Sequence, residues 1–225
     1  MNTVQRGNAT RQANKIKRRN KILSIARNLI SEEGYEAFTI SKLAKTAEVT
    51  IPTIHNLFGK KLDIFRELVE AMVEGIEQAL IQPDIQDPIT AVEVFTDNLL
   101  ALYREDEAFY KAAFVAGERA QLFEHVLPTG IYHKSLKIAL WVCVEARKNG
   151  YLAGEISDAT LANQLFGGQR LARQDWVNGY IDLNQYRIQV LTSMFLTMLA
   201  DATPEFKTQL LGKVRLLDQA ASPQS

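Results

Sequence analysis

The sequence contains a single cysteine, Cys143, among 225 residues. One thiol excludes a disulfide within the chain and any cysteine-rich zinc site. Net charge is absent too, because 26 Lys plus Arg are matched by 26 Asp plus Glu. No apolar run approaches the ~20 residues that a membrane-spanning helix needs. The opening MNTVQRGNATRQANKIKRRN has no apolar stretch and does not read as a secretory signal. A soluble, cytoplasmic protein is expected. No run of β alternation is bounded by hairpin turns. Catalytic patterns are also missing. Gly167-Gly168 is followed by no Lys-Ser/Thr and preceded by no strand, and no Ser nucleophile elbow occurs. His125, His133 and Cys143 stand too far apart in sequence for tight metal spacing. The expectation is no enzyme, no metal and no cofactor.

What is present is unevenly placed. Residues 1–66 hold 13 Lys/Arg and 5 Asp/Glu, a balance of +8, whereas residues 67–225 hold 13 and 21, a balance of −8. Arg6, Arg11, Lys15, Lys17, Arg18, Arg19 and Lys21 all precede the first acidic residue, Glu32. One reading is a basic module that meets a polyanion and an acidic module that does not; the other is a solubilising tail. At 47 % hydrophobic residues the chain can bury a sizeable core. Apolar residues recur at threes and fours almost throughout, so an all-α fold is expected. The spacing predicts helices over about 16–33, 40–47, 51–57, 61–81, 88–103, 106–123, 129–148, 158–173, 181–201 and 204–218. Gly34, Gly59, Gly150, Gly167-Gly168, Gly179 and Pro204 stand at breaks. This divides the chain into a disordered basic arm (1–14), a three-helix module (15–66) and a larger helical body (67–225).

Two short helices joined by Glu48-Val49-Thr50 and packed on an earlier helix make a helix-turn-helix, whose second helix can enter the major groove. Thr39 and Thr50 can cap the two helices. In the second, Ile54, Leu57 and Phe58 turn inward, leaving Thr50, Ile51, Thr53, His55 and Asn56 outside. Thr53 and Asn56 can bond base edges or phosphates, Ile51 can touch a thymine methyl, and His55 can donate to a phosphate. Lys60 and Lys61 begin the next helix and would reach the flanking backbone. In the arm, Arg11, Lys15, Lys17 and Arg18 would enter an A·T-rich minor groove or only raise non-specific affinity. On pattern alone, three surface helices with a polar face remain an alternative.

The stretch ILSIARNLISEEGYEAFTISKLAKTAEVTIPTIHNLFGKKLDIFREL resembles the TetR family of one-component transcriptional regulators. The resemblance rests on Ala26, Gly34-Tyr35, Phe38-Thr39-Ile40, Leu43-Ala44, Ala47, Thr53-Ile54 and Phe58-Gly59-x-Lys61. It departs where Glu48 replaces the usual turn glycine, Ile51-Pro52 a small or basic pair, and His55 the phosphate-contacting tyrosine. Leu57 stands in place of an aromatic or histidine. These departures bear on the operator sequence rather than on the scaffold, since the core positions stay apolar.

The resemblance implies that 67–225 bind a small effector and dimerise. The helices at 158–173 and 181–201 would pair across a twofold axis through Leu161, Leu165, Tyr186, Val190, Leu191, Met194, Phe195 and Met198; a central core helix is the alternative for the second. Candidate pocket residues are Phe95, Leu99, Phe109, Phe114, Phe123, Tyr132, Trp141 and Phe166, with Tyr103, His133 and Cys143 to orient a polar head. Each of these also suits an ordinary core. An aromatic lining with few polar groups points to a lipophilic effector. The reading is thus a dimeric, ligand-released repressor on a pseudo-palindromic operator. An activator with the same head, or a helical scaffolding or ligand-binding dimer without operator specificity, is the alternative.

Overall fold

In a computed structural model, backbone is described for residues 3–80, 87–123 and 131–221, and side chains from Gln12 onward within those ranges, except those of Leu80 and Ile131. Residues 81–86 and 124–130, which include His125, lie outside the described residues. The described residues are all-α: α1 (Thr3–Ala37), α2 (Ile40–Thr46), α3 (Ile51–Phe58), α4 (Lys61–Leu80), α5 (Pro88–Glu105), α6 (Glu107–Arg119), α7 (Ile131–Lys148), α8 (Asp158–Val177), α9 (Leu183–Leu199) and α10 (Pro204–Ala221). They form two compact units, Met1–Glu74 with Asp106–Ala120, and Gly75–Glu105 with Gln121–Ser225.

In the first unit, α1 begins at Thr3, so the arm expected to be irregular over 1–14 is helix from that point. Its sequence explains this. Residues 3–21 contain no proline, and Arg, Lys, Gln and Ala make up more than half of them. A helix nucleated on the buried Ile22–Ile30 segment can therefore propagate backwards through them. Gly34 interrupts α1 with φ +81°, as its position predicts. The turn between α2 and α3 takes a positive φ without glycine: Glu48 sits at φ +55°. A left-handed L-residue costs roughly 1–2 kcal/mol, while glycine costs about 0.4–1 kcal/mol in unfolded-state entropy. Glu48→Gly is therefore expected to stabilise the fold by about 0.5–1 kcal/mol, read as a rise in urea midpoint at constant m.

The boundary is not a single cut in sequence. Asp106 caps α6, accepting from the Phe109 amide at 3.1 Å, and the same carboxylate accepts from Arg27 Nε at 2.8 Å and Ser31 Oγ at 3.0 Å on α1. The Arg27 guanidinium lies 4.2 Å from the Phe109 ring centre. These contacts tie α6 to α1. Phe109 and Phe114, expected in an effector pocket, are consequently buried in the first unit.

In the second unit, α9 packs against α8, α5 and α10. Its nearly all-round apolar sequence is used within one chain. Tyr186, Val190, Leu191, Met194, Phe195 and Met198, with Leu161 and Leu165 of α8, are all buried, so these residues expected at a dimer interface are core residues. Tyr103 stacks on Trp176 at 4.7 Å and meets Tyr186 edge-on at 6.1 Å. Helices α8 and α9 approach closely at Gly168, where an added Cβ would lie 1.8 Å from Ser193 Oγ and 2.9 Å from its Cβ. Overpacking costs about 1–3 kcal/mol, more than the roughly 1 kcal/mol that alanine gains in helix propensity. Gly168→Ala should lower stability by about 1 kcal/mol, whereas Gly167→Ala, with open space around it, should raise it. A pair of thermal unfolding curves separates the two signs.

Candidate functional site

The first unit presents α3 through local chemistry. Thr39 accepts from the Lys42 amide at 3.2 Å to start α2, and Thr50 accepts from the Thr53 amide to start α3. Pro52 falls in the first turn of α3, where its missing N–H costs no intrahelical bond. Ile54 is wholly buried, whereas Ile51, His55 and Asn56 are exposed. The Thr53 hydroxyl is half engaged, 2.9 Å from that of Thr50. His55 Nδ1 lies 2.9 Å from the Gly59 carbonyl, which turns the ring toward the end of its own helix.

Two cationic residues of α1 reach this face. One groove is lined by Asn14, Lys15 and Arg18 of α1 and by Thr53, Asn56 and Leu57 of α3. Residues almost forty positions apart thus share one exposed surface, and Lys15 and Arg18, three apart, lie on the same side of the helix. Lys17 is exposed but does not line that groove, and the side chain of Arg11 lies outside the described residues. Lys60 is exposed. Lys61, expected on the flanking backbone, is used inside the module: its ammonium stands 4.3 Å from the Tyr35 ring centre and donates to the Glu36 carbonyl at 3.2 Å.

Arg19 supports the arrangement and was not singled out from sequence. It donates to the Leu57 carbonyl, pairs with Glu67 of α4, and lies 4.3 Å from the Phe58 ring centre. It therefore holds the C-terminal end of α3. The signal was periodicity: Arg19 continues the Ile22, Ala26, Leu29 stripe backwards by one turn, so it belongs to the inward face of α1 rather than to the basic run around it.

Residues 22–68 match the model of the tetR family of bacterial regulatory proteins. The segment 22–68 is of the tetR family. The HTH-type transcriptional regulator HbdR of Aromatoleum sp. (strain CIB) is 36 % identical over 63 residues, 28 % of each chain. This chain therefore matches little more than a quarter of HbdR's length. The HTH-type transcriptional repressor BepR of Brucella suis biovar 1 (strain 1330) is 25 % identical over 194 residues, 82 % of this chain and 93 % of BepR. Among solved structures, the flavonoid-responsive regulator FrrA has the same fold, with a TM-score of 0.57 at 21 % identity over 84 % of this chain and 98 % of that one.

The second unit holds a partly open cavity of about 70 Å³ between α5, α7, α8 and α9. Of the residues expected to line a pocket, Phe95, Trp141 and Phe166 do so; Leu165 and Met194, expected between subunits, line it as well. Gln169 and Ser135 are its polar members. The other candidates lie elsewhere. Leu99 and Tyr103 are buried but do not line it, and Tyr103 is committed to the Trp176–Tyr186 cluster. Phe123 and Phe166 flank Tyr132 at 5.9 and 5.6 Å between ring centres, and the Tyr132 hydroxyl accepts from Arg173 at 3.2 Å. His133 is half-buried away from the cavity. Cys143 is buried beside Asp158, and burial first, then that carboxylate, pushes its thiol up to about 11. At neutral pH it is a small apolar residue rather than a polar handle. Helical spacing predicted which residues turn inward but not toward which neighbour.

No helix among the described residues is long and apolar enough to cross a membrane.

Proposed function

We propose that this regulator is a homodimeric repressor that sets two copies of α3 on a pseudo-palindromic operator and is released by a small, largely apolar effector held in the second unit. The observation that carries the DNA part is the shared α1–α3 surface. Exposed Ile51 and Asn56, half-exposed Thr53, and the cations Lys15 and Arg18 present base-reading and phosphate-binding groups side by side. An α-helix is about 10–12 Å wide and the minor groove about 6 Å. A helical α1 therefore does not enter that groove, and Lys15 and Arg18 serve the phosphates beside it.

The dimer is supported by the symmetry of such operators, whose half-sites lie about one turn apart. It is also supported by Leu171 of α8 and Leu196 of α9, apolar yet 59 % and 51 % exposed in the single chain. Repression is supported by the likeness to BepR, and a ligand by the flavonoid response of FrrA. Helix α4 supplies residues to both units and is the natural lever. For release, the effector must bind the form that does not fit DNA more tightly than the form that does.

Selection of bound duplexes from a random pool, followed by footprinting, tests the DNA reading. The expected result is two protected half-sites related by inverted symmetry. Equal affinity for selected and scrambled duplex would overturn operator recognition and favour a scaffolding dimer. A reporter placed behind the selected site should fall when the protein is expressed; a rise would make it an activator.

A further inference from the structure

Among the described residues that line the cavity, Gln169 is the buried amide. Gln169 is 6 % exposed and lines the cavity. Its Nε2 donates to the Tyr186 hydroxyl at 3.0 Å, and that hydroxyl is bonded in turn to Tyr103, so the amide is held from behind. Among the described residues no donor of the chain bonds Gln169 Oε1, yet no fully buried polar side-chain atom is left without a partner. The oxygen therefore opens onto accessible space. Among the described residues no Lys, Arg, His, Asp or Glu lines this cavity.

We propose that the cavity selects an uncharged, largely apolar molecule carrying one hydrogen-bond donor, and that the Gln169 carbonyl reads that donor. This rests on the second-unit cavity being the effector site. A carboxylate entering it would lose its hydration with no cation to replace it. An ether of the same size would leave the amide oxygen unpaired. At about 70 Å³ the cavity is well below the roughly 300 Å³ of a usual ligand pocket, so binding must widen it. Trp141, which lines it and is 47 % exposed, stands where such widening changes its surroundings.

The test titrates the full-length protein with 1-octanol, methyl heptyl ether and octanoate, following tryptophan emission. Trp176 is the other tryptophan and is fully buried off the cavity, so the change reports Trp141. Octanol is expected to bind about fivefold more tightly than the ether, and at least about 30-fold more tightly than octanoate. Gln169→Met should erase the preference for octanol over the ether while leaving ether affinity unchanged. Equal binding of octanol and ether, octanoate binding as tightly as octanol, or a preference that survives in Gln169→Met would each overturn the proposal while leaving the cavity as the effector site. If no probe changes either the emission or the thermal midpoint, the effector reading of the cavity falls, and this inference with it.

Discussion

Replacing Asp201 with alanine is expected to cost about 3–5 kcal/mol of unfolding free energy. The Asp201 side chain is wholly buried. Its carboxylate accepts three backbone amides, those of Gly154 at 3.1 Å, Glu155 at 2.8 Å and Ile156 at 3.0 Å. Those donors belong to the connection between α7 and α8, which also carries the isolated bridge from Leu152 to Ala202. The substitution would strand three N–H groups at once, and each buried donor left unpaired costs about 1–3 kcal/mol. Arg147 softens the loss only partly. It stands 3.7 Å from Asp201 but is held mainly by Asp158 at 2.7 Å, the contact that chiefly raises its own pKa. Asp201→Asn keeps one acceptor oxygen and should lose roughly half as much. Urea unfolding at fixed m measures both, and a loss below about 1 kcal/mol for the alanine variant would contradict this account.

The second large effect concerns DNA, and its form matters more than its size. Asn56→Ala should weaken operator binding by about 10- to 100-fold with little change in affinity for random duplex, because an amide on α3 can pair with a base edge. Lys15→Ala and Arg18→Ala should each weaken both kinds of binding and lower the slope of log affinity against log salt by about one. Thr53→Ala should fall short of Asn56→Ala, since the Thr53 hydroxyl already meets Thr50. Gel shifts across a salt series separate the two classes. A changed salt slope in Asn56→Ala, or an unchanged one in both cation variants, would show that the roles of α1 and α3 are wrongly divided.

The head was legible in the sequence because its signals are local. Thr39 and Thr50 cap helices through bonds to residues three positions on, and Gly34 ends a helix through its own φ. The inward positions Ile22, Ala26, Leu43 and Ile54 follow from a period of 3.6. The start of α1 was less legible, since polar residues with good helix propensity read equally as tail or as helix. Arg19 shows the same limit from the other side. Its charge suggested solvent, while its register placed it under α3.

In the body, sequence placed most helices within a few residues but assigned several of their faces wrongly. An apolar side chain has the same pattern whether it meets its own chain, a second copy or a ligand. Tyr186 and Phe195 were expected between subunits and fill the core; Phe109 was expected around an effector and lies under Arg27. The +8 and −8 halves, the helix-turn-helix and the helical periods were determined by the sequence alone, because charge, capping and amphipathicity act over a few bonds or turns. Only the tertiary structure decided that α6 joins the head, that Lys61 is spent on Tyr35, that Asp201 holds a distant connection, and that Gln169 lines a largely apolar cavity. Each depends on contacts between residues far apart in the chain, and such contacts leave no periodic trace in the sequence.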